Sequence, residues 1–191
     1  MSTQDRVRWD AIYREHRNWP FPPPDPLLLS FTPHPPADRE CRALDLACGL
    51  GQNGLWLAGQ GYIVDMMDIS RAALSRAREE MAIRNLRSVN LLQVDIDELD
   101  IEEETYYFIC VFRYLKRDLF RKITAAIQPG GRIIYETFNT NYLELVPEFN
   151  RAFLLDVGEL VSYFDGWQIL HHSDAGHISQ VVALKPEHSY A

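Results

Sequence analysis

The chain has 191 residues, of which 47% are hydrophobic and 24% charged, with a formal net charge of −8. That length is ample for a full core, and no apolar run approaches the roughly 18–20 residues needed to span a membrane. The acidic balance disfavours nonspecific binding to nucleic acid, which works by neutralising phosphates.

Residues 6–17 read as a helix, with Trp9, Ile12, Tyr13 and His16 at helical spacing on one face. The opening residues lack the apolar core of a signal peptide, which makes the cytoplasm the expected location. Eight of the eleven prolines follow between 20 and 36, so this stretch is expected to be a stiff, extended strap. Leu27, Leu28, Leu29 and Phe31 within it should pack on the body. The strap is either a spacer or the support that places the first helix as a lid, with Trp9 and Tyr13 as cover and Arg8 or Arg14 as ligand contacts.

From 42 onward strands and helices alternate. Strands are expected at 42–47, 62–68, 89–94, 107–112 and 132–138, and helices at 54–60, at 70–84 behind a Ser70 cap, and at 117–127. Pro129-Gly130-Gly131 is read as the turn into the fifth strand. Alternation of this kind with apolar strands implies a parallel sheet covered on both faces. A helix near 156–164 then leads to strands at 166–171 and 178–185, joined at Ser173-Asp174-Ala175-Gly176, so the sheet should finish as an antiparallel hairpin.

The most informative stretch runs from Asp45 through Cys48, Gly49, Gly51 and Asn53 to Gly54. A strand ends in an aspartate, turns through glycines and opens a helix, which lets a backbone approach a ligand and aims free N–H groups at it. The spacing is G-x-G-x-x-G, yet Asp45 stands where a nicotinamide site is normally apolar, and its carboxylate suits a cationic or hydrogen-bond-donating group. Two further strands end in acids, Asp68 and Asp95. Asp68 follows Asp45 at the distance of a ribose-binding acid, with Ile69 as an apolar face for a base. Asp95 can accept from an adenine amino group, with the Ile96 N–H beside it.

Together Asp45-x-x-Cys48-Gly49-x-Gly51-x-x-Gly54, Asp68, Val94-Asp95 and Gln128-Pro129-Gly130-Gly131 resemble the class I S-adenosylmethionine-dependent methyltransferases, over roughly residues 42–185. The resemblance implies an α/β, Rossmann-like three-layer sandwich with a seven-stranded, mostly parallel sheet. It also implies S-adenosyl-L-methionine as cofactor, bound by the residues just named with Phe112 at the end of the fourth strand. On this reading residues 1–40 form the lid helix and strap, and 41–191 the cofactor-binding domain. A narrower likeness, to the tellurite-resistance and thiopurine-type small-molecule methyltransferases, rests on three segments. These are Gly51-Gln52-Asn53-Gly54-Leu55-Trp56-Leu57-Ala58, Gly61-Tyr62-Ile63-Val64-Asp65 and Glu159-Leu160-x-x-Tyr163-Phe164-x-Gly166-Trp167. The chain departs from that pattern at Tyr106-Tyr107-Phe108 and at Phe112-Arg113-Tyr114-Leu115.

The implied acceptor is a small molecule, a soft thiol or chalcogen nucleophile, which needs alignment more than a strong base. Arg113 and Tyr114 are the candidate catalytic residues, with Glu136, Phe138, Asn139, Tyr142 and Phe149 lining the acceptor side. Cys41, Cys48 and Cys110 form no C-x-x-C pair and read as buried thiols, and no cluster has metal-ligand spacing. A protein or RNA methyltransferase using the basic stretch Arg113–Lys122, and a noncatalytic cofactor-binding module, are the alternatives; an NAD-dependent oxidoreductase conflicts with Asp45.

Overall fold

The computed structural model describes residues 3–187. Seven strands form one sheet in the order β3-β2-β1-β4-β5-β7-β6, the α/β, mostly parallel sheet with a terminal antiparallel hairpin expected from the sequence. The chain divides into two compact units, residues 1–100 and 101–191.

The first unit carries three parallel strands, β1 (Arg42–Leu46), β2 (Ile63–Asp68) and β3 (Val89–Gln93). All of β2 beyond Ile63 is buried, as expected of a strand covered on both faces. Asp65 lies within β2 and is 2% exposed. Arg42 Nη2 reaches it at 2.6 Å and Asn90 Nδ2 donates to it at 2.7 Å, so a buried acid joins all three strands without being left unpaired. Helix α3 (Gln52–Gly59) starts two residues earlier than expected, straight after Gly51 in the left-handed region at φ 80°. Helix α4 (Arg71–Ile83) is capped by Ser70, whose hydroxyl accepts from the Ala73 N–H. Helix α1 (Thr3–Glu15) packs on α4.

The strap differs from the expectation of extended chain, because it contains helix α2 (Pro26–Phe31). Proline at the first helical position gives up no hydrogen bond and has its φ preset, so Pro26 starts the helix rather than blocking it. Leu27 and Leu28 are buried, whereas Leu29 faces outward. Two ties hold the strap. Asn53 accepts from the Asp25 N–H at 2.9 Å and donates to its carboxylate at 3.0 Å, and Tyr62 Oη donates to the Pro33 carbonyl at 2.7 Å.

In the second unit β4 (Tyr106–Phe112) pairs parallel with β5 (Ile127–Phe138), and β5 pairs antiparallel with β7 (Ile178–Leu184), which pairs antiparallel with β6 (Gln168–Ser173). Gln128-Pro129-Gly130-Gly131 is not a free turn but an irregularity inside β5, where the register to β4 jumps between Tyr106 and Phe108. Gly130 has φ 72°, and a Cβ on Gly131 would lie 2.8 Å from the Gln128 carbonyl oxygen and 2.9 Å from that of Tyr107. Glycine is needed there because the two strands close directly onto it.

Helices α5 (Leu119–Ala126) and α6 (Glu159–Ser162) are tied by an ionic and aromatic strut. Arg117 makes two hydrogen bonds to the Glu159 carboxylate, at 2.6 and 2.8 Å, and one to the Leu154 carbonyl. Tyr163 Oη donates to Glu159 at 2.7 Å, and the Tyr163 ring stacks on Phe120 at 3.8 Å. Burial acts to raise the Glu159 pKa, but the bonds from Arg117, Tyr163 and the Asp156 N–H outweigh it and bring it down to about 2. The stabilisation is therefore complete above the ordinary glutamate range and is lost as pH falls through it toward 2. Glu159→Gln should lower stability by about 1–2 kcal/mol near neutral pH, allowing for solvent at the partly exposed Arg117. Urea melts at descending pH should show that deficit shrinking below pH 4.5; a deficit constant down to pH 2.5 would place the effect in packing, not charge.

Candidate functional site

The carboxyl ends of β1 and β2 organise the glycine turn. Asp45, 2% exposed, accepts from the Gly54 N–H at 2.8 Å. Asp68, 7% exposed, accepts from the Gly49 N–H through one oxygen and from the Ser70 N–H through the other, both at 2.8 Å. Burial raises the Asp68 pKa against those donors, and the charge of Asp10 acts in the same direction. The two acids thus pin both ends of a turn whose other N–H groups start α3, an arrangement suited to a polar ligand lying over the backbone.

The glycines are required for close packing beneath the turn. A Cβ on Gly54 would sit 2.6 Å from Met66 Cγ and 3.0 Å from the Asp45 carboxylate. At Gly51 it would meet the Met66 methyl group, in a residue already at φ 80°. Cys48 is buried in the same turn, its N–H bonded to the Met67 carbonyl. Burial, together with the Asp45 and Asp68 charges, pushes its thiol well above the usual range.

The N-terminal helix reaches this turn. A Cβ on Gly49 would lie 2.6 Å from Tyr13 Oη, so the phenol rests against the glycine. Burial, with the Asp68 and Cys48 charges, raises the Tyr13 hydroxyl above its ordinary range, leaving a neutral donor beside a carboxylate. Asp10 anchors α1 by accepting from Ser70 Oγ at 2.7 Å and from the Ala72 N–H at 2.9 Å. Burial opposes its ionisation, but those two bonds and the charges of Arg14 and Arg6 hold its carboxyl below the usual range. Ser70 therefore links the anchor of α1 to Asp68. Arg76 adds bonds to the carbonyls of His16 and Trp19. Of the two expected basic contacts, Arg14 pairs with Asp10 on its own helix at 3.6 Å and Arg8 lies over the Trp9 ring.

The remaining candidates fall at similar strand ends. Ile69 and Ile96 are buried at 4% and 1% exposure. Asp95 accepts from the Asp97 N–H at 3.0 Å, and the chain between Asp68 and Asp95 is fixed by the Val94 N–H on the Asp68 carbonyl. Asn53 faces the strap through Asp25, a structural role that its place in the glycine motif did not suggest.

In the second unit Phe112 is 9% exposed at the end of β4. Arg113 follows it in the left-handed region at φ 56°, unusual for a residue with a side chain. Its N–H bonds the Glu136 carbonyl at 2.7 Å and its guanidinium lies 3.1 Å from the Glu136 carboxylate. The Tyr114 carbonyl accepts from Tyr135 Oη at 2.7 Å. Asn139 is fully buried, accepts from the Asn141 N–H and donates to Ser179. Phe138, Tyr142, Phe149 and His177 form one aromatic group, with Phe138 stacked on Tyr142 at 4.4 Å.

Asp10 was not legible as a site residue, and its role here is directly testable. Two hydrogen bonds to a carboxylate account for more than about 1.5 kcal/mol, so Asp10→Ala should raise amide exchange over α1 by roughly tenfold or more. Exchange in β1 and β2 should stay at the wild-type rate. Unchanged protection of α1 would mean that other contacts hold the helix.

Residues 37–183 match the family model described as tellurite resistance protein TehB. Hemagglutinin 1 of Eikenella corrodens is 32% identical over 152 residues, covering 71% of this chain and 46% of that protein. A probable S-adenosyl-L-methionine-dependent methyltransferase TehB of Haemophilus influenzae is 26% identical over 141 residues, covering 70% of this chain and 48% of that protein. The chain thus spans about half the length of these curated relatives. In fold it is similar to an S-adenosylmethionine-dependent methyltransferase of solved structure from Mesorhizobium loti, with TM-score 0.67 and 20% identity over 84% of this chain and 96% of that one. With most of its residues on the matching model, the chain belongs to the family described as tellurite resistance protein TehB.

Proposed function

We propose that this protein transfers the methyl group of S-adenosylmethionine to a small-molecule acceptor, a soft thiol or chalcogen nucleophile. The observation that carries this reading is the pair of buried carboxylates, Asp45 and Asp68, set on the two ends of a glycine turn in a chain of the TehB family.

The residues present fit the cofactor. Gly49, Gly51 and Gly54 let the turn pack tightly on Tyr13, Met66 and Asp45, and each Asp68 oxygen bonded to one N–H keeps a further lone pair for a ribose hydroxyl. Ile69 supplies an apolar face for adenine, Asp95 an acceptor for its amino group and the Ile96 N–H a donor for a ring nitrogen. Asp45, Cys48 and Phe112 complete the assigned contacts, and Tyr13 closes over Gly49 as part of the lid. When bound, the cofactor supplies an electrophilic methyl on a sulfonium. The protein's task is then to orient the acceptor in line and exclude water. Arg113 and Tyr114, directly after β4, are assigned to the acceptor side, since ligands of such sheets lie beyond the carboxyl ends of the parallel strands.

Two observations weigh against a nucleic-acid substrate. Arg113 and Arg117, in the basic stretch that would form its groove, are paired with Glu136 and Glu159. The reading includes a cytoplasmic location, supported by three buried thiols without a disulfide. No described helix is long and apolar enough to cross a membrane.

Calorimetric titration with S-adenosylhomocysteine, with NAD as control, tests the cofactor assignment. The wild type should bind the first alone. Asp68→Ala should bind it roughly ten- to hundredfold more weakly, from the loss of charge-assisted bonds, with an unaltered circular dichroism spectrum. Deleting residues 1–19 should weaken binding as well. Wild-type affinity in Asp68→Ala would place the ribose elsewhere, and binding without turnover on any acceptor would favour the noncatalytic module.

A further inference from the structure

Helix α1 is held to the rest of the first unit by polar bonds more than by buried apolar area. None of its described side chains is fully buried, whereas α3 buries Leu55 and Leu57 and α4 buries Ala73, Leu74 and Ala77. Val7, near its start, is 62% exposed. Elements held in this way are the ones that open locally while the rest of a domain stays folded.

The bonds are placed as in a hinged cover. At the carboxyl end Arg76 donates to the His16 carbonyl at 3.2 Å and to the Trp19 carbonyl at 2.9 Å. Beyond them the strap is tied down through Asp25 and Pro33. Toward the amino end, Asp10 accepts from Ser70 Oγ and from the Ala72 N–H at the start of α4. Tyr13 lies one turn from Asp10 on the same side of the helix, with its hydroxyl against Gly49 and close enough to Asp68 and Cys48 to feel their charges. The Arg17–Glu79 pair, at 3.2 Å, has both partners exposed and adds little. Asp10 and Tyr13 therefore rest on Ser70 and Gly49, the two residues whose N–H groups donate to the Asp68 carboxylate. A ligand of that acid meets α1 on its way in.

We infer that α1 is a gate on the cofactor site, pivoting about His16–Trp19, latched by Asp10 and closed over Gly49 by Tyr13. Cofactor enters and leaves while the latch is open, and reclosure over the bound molecule retains it. The latch thereby slows entry and exit alike. The inference rests on the methyl-transfer reading and adds what controls traffic at its cofactor site.

Association and dissociation rates of S-adenosylhomocysteine test the gate, read by stopped-flow tryptophan fluorescence with Trp9, 6.0 Å from the Tyr13 ring, as reporter on α1. A residue that merely touches a ligand changes dissociation and leaves association nearly as it was, whereas a latch changes both. Asp10→Ala removes two bonds to a carboxylate, so association should rise roughly tenfold or more and dissociation by a larger factor. Tyr13→Ala keeps the latch but uncovers Gly49, and should also speed association; it carries the test if Asp10→Ala fails to fold. Association at the wild-type rate in the folded variants would overturn the inference, whatever happens to dissociation. A wild type that binds no S-adenosylhomocysteine would instead overturn the reading beneath it.

Discussion

The Asp68 carboxylate is the constraint on which the first unit depends. One of its oxygens holds the turn after β1 through Gly49, and the other holds the start of α4 through Ser70. A single buried acid therefore fixes the separation of two loops that belong to different strands. Burial alone would favour the neutral form of such a group, and the N–H bonds oppose that tendency. Because Ser70 also meets Asp10, the position of the N-terminal helix is set by the same small cluster.

Much of this was readable beforehand, for identifiable reasons. Strand and helix periods survive in the sequence because each element buries one face or both, and the aspartates and glycines mark strand ends since few other residues tolerate those positions. Ser70 was legible as a cap because capping is local chemistry. What escaped was nonlocal. Asp10 sits in an ordinary polar helix position, and its partners are 60 and 62 residues away. Asn53 lies within a recognisable motif, yet it serves the strap through Asp25, 28 residues earlier. Helix α2 was hidden by proline content, which signals extended chain unless the proline falls at the first helical position. In β5 the Pro-Gly-Gly segment looked like a turn because its strand pairing is made by residues distant in sequence.

The second unit shows the converse. Arg113, Tyr114 and Glu136 were singled out by position at strand ends. Neither the left-handed backbone of Arg113 nor the hydrogen-bonded line that runs from Glu136 through Gln180 to His171 can be read from residue types, since both depend on register across four strands. Arg117 and Glu159, by contrast, show how a basic stretch that looks like a binding surface can be internal scaffolding.

The thiol of Cys48 has a further consequence. It lies in the turn that would hold an alkylating cofactor, and a thiolate there would be a competing target for the methyl group. Burial and the flanking charges of Asp45 and Asp68 keep it protonated, and the protonated thiol is a poor nucleophile. If the turn holds the cofactor as proposed, the same carboxylates that shape the loop also disfavour the thiolate that would compete for its methyl group.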